Sequence, residues 1–157
     1  AASDVYKRQH RAKGRHGDRS MTMEECYTQM GANYHRVLRR LGKESLLVKI
    51  AEMFPQDESY NRMKAMMDQP EGNIELTMRA AHKFYGLCLN AGYANLSKVM
   101  ELLVDALEDG DIEEAQHQLR RVTRQYNFTC KLLKDVDELK PKEDYGTGRY
   151  FIPRNRL

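Results

Sequence analysis

The 157-residue sequence contains no tryptophan, only four prolines and only ten glycines. Methionine, leucine, alanine, glutamate, lysine and arginine dominate instead, and these residues favour helices. No apolar run approaches the roughly 20 residues that a membrane-spanning helix needs. The composition therefore argues against a β-rich or membrane-spanning chain, and it predicts one modest all-α domain.

Cysteine is also scarce, because only Cys26, Cys88 and Cys130 are present. Their number is odd, they lie far apart in the sequence, and none forms a spacing typical of zinc ligands. This pattern predicts neither a disulfide framework nor a metal site. We expect a soluble, cytoplasmic protein with reduced thiols.

Positive charge is concentrated in residues 1–20, which carry six lysines and arginines against two aspartates. That segment has a formal charge of +4, so the rest of the chain carries −1 of the total of +3. The string DVYKRQ within it resembles the translation of a transposon end used to prepare sequencing libraries. We interpret residues 1–20 as a non-native or disordered basic leader, with a natural start at Met21 or Met23. A disordered basic arm that binds nucleic acid or anionic lipid is the alternative.

Residues 21–139 show successive helical patterns separated by short connections. Asn33, Asn73 and Asp111 are predicted to cap helices, and a break at Phe54-Pro55 is either a kink or a change of helix. Short connections favour antiparallel neighbours, which predicts an up-and-down antiparallel four-helix bundle with short N-terminal helices. Residues 140–157 contain two prolines and two glycines and are predicted to be a flexible tail.

His82 lies on the predicted outward face of the helix that follows Asn73. At about 100° per residue, the side chains of the core stripe fall within about 60° of one direction. They are Thr77, Ala80, Phe84, Leu87, Cys88 and Ala91. His82 lies almost opposite this stripe, and Glu75, Leu89 and Tyr93 fall within roughly 20° of it.

Gly86 follows His82 by one turn, although an interior helix glycine costs roughly 1 kcal/mol relative to alanine. The missing side chain leaves room for a large molecule to approach the imidazole. Arg79 and Lys83 add positive charge nearby, and a neutral imidazole is a competent nucleophile near pH 7. This arrangement allows two interpretations: a solvated surface histidine beside a tolerated glycine, which geometry alone favours, or a histidine that carries a phosphoryl group.

The string AAHKFYGLCLNAGY resembles the signature of the histidine phosphotransfer domain, a four-helix module of bacterial two-component phosphorelays. That family has approximately A-H-x-L-K-G and a further glycine about ten positions after the histidine. The matching residues are Ala81, His82, Phe84, Gly86 and Gly92. The resemblance extends over about residues 21–139, which covers most of the chain.

The resemblance implies that His82 accepts a phosphoryl group from a receiver-domain aspartate and passes it to another receiver. The implied partners are response-regulator receivers and a hybrid histidine kinase, with no nucleic acid or membrane partner. The chain would be a monomeric carrier rather than an enzyme, since it contains no nucleotide-binding motif. It would need no cofactor of its own, because the receiver would supply magnesium.

Tyr85 departs from the family pattern, which usually places a lysine beside the phosphoryl group. Its hydroxyl supplies one hydrogen bond but no positive charge, so we expect Arg79 or Lys83 to compensate. The resemblance therefore places four residues around the phosphoryl group: Arg79, Lys83, Tyr85 and Gly86. Glu75, Leu89 and Tyr93 are expected to form an exposed docking face around His82.

Two other function classes stay open from the sequence. Tyr85 is compatible with an adaptor that docks on receivers without transferring phosphoryl groups, and such binding should survive His82→Gln. The basic leader is compatible with a helical nucleic-acid binder, whose binding should disappear when residues 1–20 are removed.

Overall fold

The computed structural model describes residues 20–139, and these residues form an all-α domain, as predicted. The leader, apart from Ser20, and the tail predicted for residues 140–157 lie outside the described residues. The helices are α1 (Met23–Gln29), α2 (Tyr34–Leu41), α3 (Glu44–Met53), α4 (Ser59–Met67), α5 (Ile74–Ala91), α6 (Ala94–Glu108) and α7 (Ile112–Lys134). Short 3-10 segments lie at Phe54–Gln56, Pro70–Gly72 and Asp137–Leu139. Residues 20–139 contain no β-strand, only an isolated bridge between Met21 and Val136.

The predicted helix starts are confirmed by side-chain caps. The Asn33 and Asn73 side chains accept hydrogen bonds from the N–H groups of Arg36 and Leu76. Each bond satisfies a backbone donor that the first turn of a helix would otherwise leave unpaired. The cap before α5 is the one that matters most here, because it fixes where the helix carrying His82 begins.

The spacing of Asp111 and Glu114 predicts a reciprocal capping box for α7, and the structure shows only half of it. Asp111 accepts a hydrogen bond from the N–H of Glu114 at 3.0 Å, as predicted. The Glu114 carboxylate, however, accepts a 2.7 Å hydrogen bond from the side-chain amide of Gln118, one turn into the helix. A full capping box instead starts α1, where Thr22 and Glu25 satisfy each other's N–H groups.

The break at Phe54-Pro55 is a change of helix. Residues Phe54–Gln56 form a 3-10 turn after α3, and α4 begins at Ser59. Proline at the second position of the turn suits it because proline cannot donate the hydrogen bond that would continue α3. Asp57 accepts a 2.8 Å hydrogen bond from the N–H of Ser59, which supports the start of α4.

The core is built around aromatic side chains from separate helices. Tyr60 of α4 and Tyr126 of α7 stack with ring centroids 3.7 Å apart, and the Tyr60 hydroxyl donates to Thr123 Oγ1 at 3.0 Å. Phe84 of α5 is fully buried and contacts both rings at 5.4 and 5.8 Å. Since Phe84 anchors the inner side of α5, the opposite side of that helix is turned toward solvent.

The core stripe predicted for α5 is confirmed. Its buried members are Thr77, Ala80, Phe84, Cys88 and Ala91, and Leu87 is half-buried. Helix α5 packs mainly between α4 and α6, and α6 packs on α7. Among the described helices, none combines the length and apolar character needed to cross a membrane.

The N-terminal helix α1 closes one end of the domain. The Tyr27 hydroxyl donates a 2.7 Å hydrogen bond to the carbonyl of Ala91, the last residue of α5. The N–H of Asn95, near the start of α6, donates to the carbonyl of Met30 at 3.1 Å. These bonds hold the turn between α5 and α6 in place, and so fix how the two helices that border the candidate site are joined.

Candidate functional site

His82 is the ninth of the 18 residues of α5, so it lies in the middle of a helix rather than at a cap. Half of its side-chain surface is exposed, as the predicted outward orientation requires. The neighbouring Ala81 and Phe84 are fully buried, and they fix the rotation of the helix. An imidazole held outward on a rigid helix is accessible to a large partner.

Gly86 leaves the surface one turn after His82 bare. A methyl group added at this position would meet no atom within 4 Å, and the backbone there is ordinary α-helix. Neither packing nor backbone conformation therefore requires glycine. The roughly 1 kcal/mol that glycine costs inside a helix is not offset within the described domain.

Glu108, at the end of α6, is the charged group paired with His82. Its Oε2 atom lies 3.5 Å from His82 Nε2, and both side chains are about half exposed, at 48% and 50%. No motif in the sequence marks Glu108 as a neighbour of His82. Its proximity depends on the rotation of α6 against α5, which the sequence of either helix alone does not specify.

Tyr85 is half-buried and turns toward α6. Its phenol lies near the carboxylates of Glu101 and Asp105. Burial raises the pKa of this phenol, and the negative charges of Glu101 and Asp105 raise it further. The phenol therefore stays protonated beside carboxylates of its own domain.

Arg79 and Lys83, the two expected sources of positive charge, are both exposed and point to different neighbours. Arg79 forms a 2.9 Å ion pair with Glu75, one turn before it on α5. Lys83 lines a shallow cleft with Asp57 beside the start of α4. Hydrogen bonds from Ser59 lower the pKa of the Asp57 carboxyl, and the nearby Lys83 lowers it further.

The expected docking face is only partly exposed. Glu75 is exposed, and Leu89 has 49% of its surface open to solvent. The expectation that Tyr93 is exposed is wrong, because this side chain is fully buried. Helix α5 ends at Ala91, and Gly92, with φ of +80°, turns the chain inward, so the helical periodicity no longer applies to Tyr93.

Tyr93 is instead part of the core. Its ring packs edge-on against Phe54 and Tyr27 at centroid distances of 4.8 and 5.7 Å. Its N–H donates to the carbonyl of Cys88 at 3.2 Å. Gly92 is equally constrained, because a Cβ atom there would lie 2.5 Å from Cγ2 of Val37.

The buried thiols offer no competing nucleophile. Burial raises the pKa of Cys26 to about 12, and burial also raises that of Cys88 well above its usual range. Both thiols are therefore protonated at neutral pH, and the thiolate is the reactive form. Within residues 20–139, no group of three or more His, Cys, Asp or Glu side chains is placed to hold a metal ion.

Comparison with known proteins adds nothing to this geometry: no protein-family model, curated protein or solved structure matches the chain.

Proposed function

We propose that the protein is a histidine phosphotransfer carrier that receives a phosphoryl group on His82 from one receiver domain and passes it to another. The observation that carries this proposal is the exposed imidazole in the middle of α5, followed one turn later by Gly86. Apart from the neighbouring residues and backbone of α5 itself, no atom of the described domain lies within 4 Å of the side-chain position that Gly86 leaves empty. An open surface at this point suits a partner that must bring an aspartyl phosphate up to the ring.

The transfer step needs only the histidine from this chain. An unprotonated ring nitrogen of His82 attacks the phosphorus of the aspartyl phosphate, so an N–P bond forms and the P–O bond to the aspartate breaks. The aspartate carboxylate leaves with the electron pair. The receiver would supply magnesium and most of the charge stabilisation, since phosphoryl transfer depends chiefly on positioning and electrostatics.

The proposed architecture is an up-and-down four-helix bundle of α4 to α7. His82 lies against Glu108, whereas Tyr85, three residues later on α5, lies against Glu101, seven residues earlier on α6. Positions that increase along one helix and decrease along the other describe antiparallel neighbours. The carrier side chain then projects from the wall of the bundle, where a receiver can dock across Glu75 and Leu89.

The adaptor alternative has its own supporting observation. Tyr85, which replaces the usual lysine, lies beside the negative charges of Glu101 and Asp105 instead of supplying positive charge. A domain with this arrangement can keep the docking face and carry no phosphoryl group. In either case the chain is proposed to act in the cytoplasm on receiver domains, as a monomer and without enzymatic activity of its own.

A phosphotransfer assay on the full chain tests the proposal. Receiver domains phosphorylated with acetyl phosphate are offered in the presence of magnesium, and the acid-labile label is mapped by mass spectrometry. We expect label on His82 that disappears in His82→Gln and persists in His117→Gln, a matched change at another exposed helix histidine. Receiver binding without label, unchanged in His82→Gln, would favour the adaptor instead.

A further inference from the structure

Acidic side chains of α6 border the outward face of α5. Glu101, Asp105 and Glu108 recur at intervals of four and three residues, so they project from one side of α6. All three are exposed, and two of them border the candidate site: Glu101 lies near Tyr85 and Glu108 faces His82. The imidazole therefore lies beside negative charge.

Glu108 has the most direct relation to the reacting group. Its carboxylate oxygen lies 3.5 Å from Nε2, the ring nitrogen farther from the backbone. A phosphoryl group on that nitrogen would lie against the carboxylate, and two like charges at such a distance repel each other even when partly solvated. The charge of Arg79 is shared with Glu75 at 2.9 Å, so it only partly offsets this repulsion.

We infer that Glu108 is a positioning residue that orients the His82 ring and opposes a phosphoryl group on Nε2. This inference rests on the proposed function and assigns the carrier a bias: phosphorylated His82 is a short-lived donor rather than a store. The N–P bond breaks with transfer of phosphorus to a receiver carboxylate or to water, and the electron pair of that bond returns to the ring nitrogen. Repulsion by Glu108 raises the free energy of phosphorylated His82, and this favours both transfer to a receiver and hydrolysis.

The experiment uses phosphoramidate, a small donor that phosphorylates histidine and releases ammonia without any receiver. The full chain, Glu108→Gln and the control Glu113→Gln, an exposed glutamate on α7, are labelled and followed by ³¹P and ¹⁵N NMR. We expect Glu108→Gln to raise the amount and lifetime of phosphoryl on Nε2 by about threefold to tenfold. The control should behave like the unchanged chain.

Salt gives a readout that a merely structural role would not move. At about 1 M salt the Debye length falls to roughly 3 Å, so the repulsion between Glu108 and the phosphoryl group is screened. The difference in phosphoryl lifetime between Glu108→Gln and the unchanged chain should therefore shrink at high salt. A shift of the phosphoryl group from Nδ1 to Nε2 in Glu108→Gln would also support the inference. Equal labelling, equal lifetime and the same nitrogen in both proteins, or no labelling of His82 in either, would overturn it.

The proposed carrier function and the inferred role of Glu108 can be disproved independently of each other. Labelling by phosphoramidate does not involve a receiver, so it judges the role of Glu108 alone. A chain that phosphoramidate labels on His82, but that neither accepts from nor donates to receivers, contradicts the proposed function. The effect of Glu108→Gln on the labelled histidine would still be measurable in that case.

Discussion

Gly86 and Gly92 both match the phosphotransfer signature, but they occupy opposite environments six residues apart. Gly86 lies inside α5 with no atom within 4 Å of its missing side chain. Gly92 ends the helix with φ of +80°, and a Cβ atom there would meet Val37 at 2.5 Å. The second glycine is explained by backbone conformation and packing, whereas nothing within the described domain requires the first.

Leu89 and Tyr93, which lie before and after the end of α5, show a similar contrast between an open and a packed environment. Both fall on the outward face if the helix is continued, yet Leu89 is 49% exposed and Tyr93 is fully buried. The turn at Gly92 separates them, because a helical wheel is valid only while the helix lasts. The outward face available to a partner therefore ends before Gly92, and His82, Gly86 and Leu89 lie on it.

The largest predicted effect is a difference in stability between Tyr93→Ala and Leu89→Ala. Truncating the buried ring should lower the free energy of unfolding by about 3–5 kcal/mol, because a cavity remains among the core aromatics. Truncating Leu89 should change it by less than about 0.5 kcal/mol. Urea denaturation of both variants measures this difference, and similar losses in the two would contradict the assignment of Tyr93 to the core.

Gly92→Ala should cost about 2–4 kcal/mol, since alanine is strained at positive φ and its methyl group meets Val37. The matched double variant Gly92→Ala with Val37→Ala tests the two causes. Removing the valine methyls should relieve the clash but leave the backbone strain. The double variant should therefore lose less free energy of unfolding than the sum of the two single variants. Simple additivity in urea denaturation would rule out the contact with Val37.

The fold was largely predictable because each helix carries local signals in its own sequence. Asn33 and Asn73 cap the predicted helices, Gly42 and Gly92 end them in left-handed conformations, and Phe84 marks the buried side of α5. These features act within one or two turns of the chain. The starts of these helices and the exposure of His82 therefore follow from local sequence signals.

The surroundings of His82 were not predictable in the same way. Glu108 lies beside His82 and Glu101 lies near Tyr85, and both glutamates belong to α6 rather than to α5. Both contacts depend on the rotation and register of α6 against α5, which are set by packing of the whole core. The prediction that Tyr93 is exposed was wrong for a related reason. Helix α5 ends before this residue, and the turn at Gly92 directs the Tyr93 side chain into the core.

Gly86 yields the prediction that separates stability from function. Gly86→Ala should raise the free energy of unfolding by about 0.5–1 kcal/mol, because the methyl group meets nothing and alanine favours a helix. Gly86→Leu should also leave the fold intact but slow phosphotransfer from receivers by about tenfold or more, since its side chain would occupy the open approach to His82. Normal transfer by Gly86→Leu would mean that the bare turn is not used for docking.

The smallest effects are expected from the two cations. Arg79→Gln and Lys83→Gln should each change stability by less than about 0.5 kcal/mol, because both side chains are exposed. Their effects on transfer should differ. Arg79 is paired with Glu75 on the outward side of α5, and an exposed pair is readily exchanged for a phosphoryl group, so its loss should slow transfer by about threefold.

Lys83 lies beside Asp57 in the cleft at the start of α4, so Lys83→Gln should leave transfer unchanged. Arg124→Gln provides the control for Arg79, because it removes an exposed arginine of α7 that is not part of the proposed site, and it should not slow the reaction. Rates measured with receivers phosphorylated by acetyl phosphate distinguish the two cations. If Lys83→Gln slows transfer as much as Arg79→Gln does, the lysine must turn away from Asp57 on docking, and both cations supply the positive charge that the family pattern would place at Tyr85.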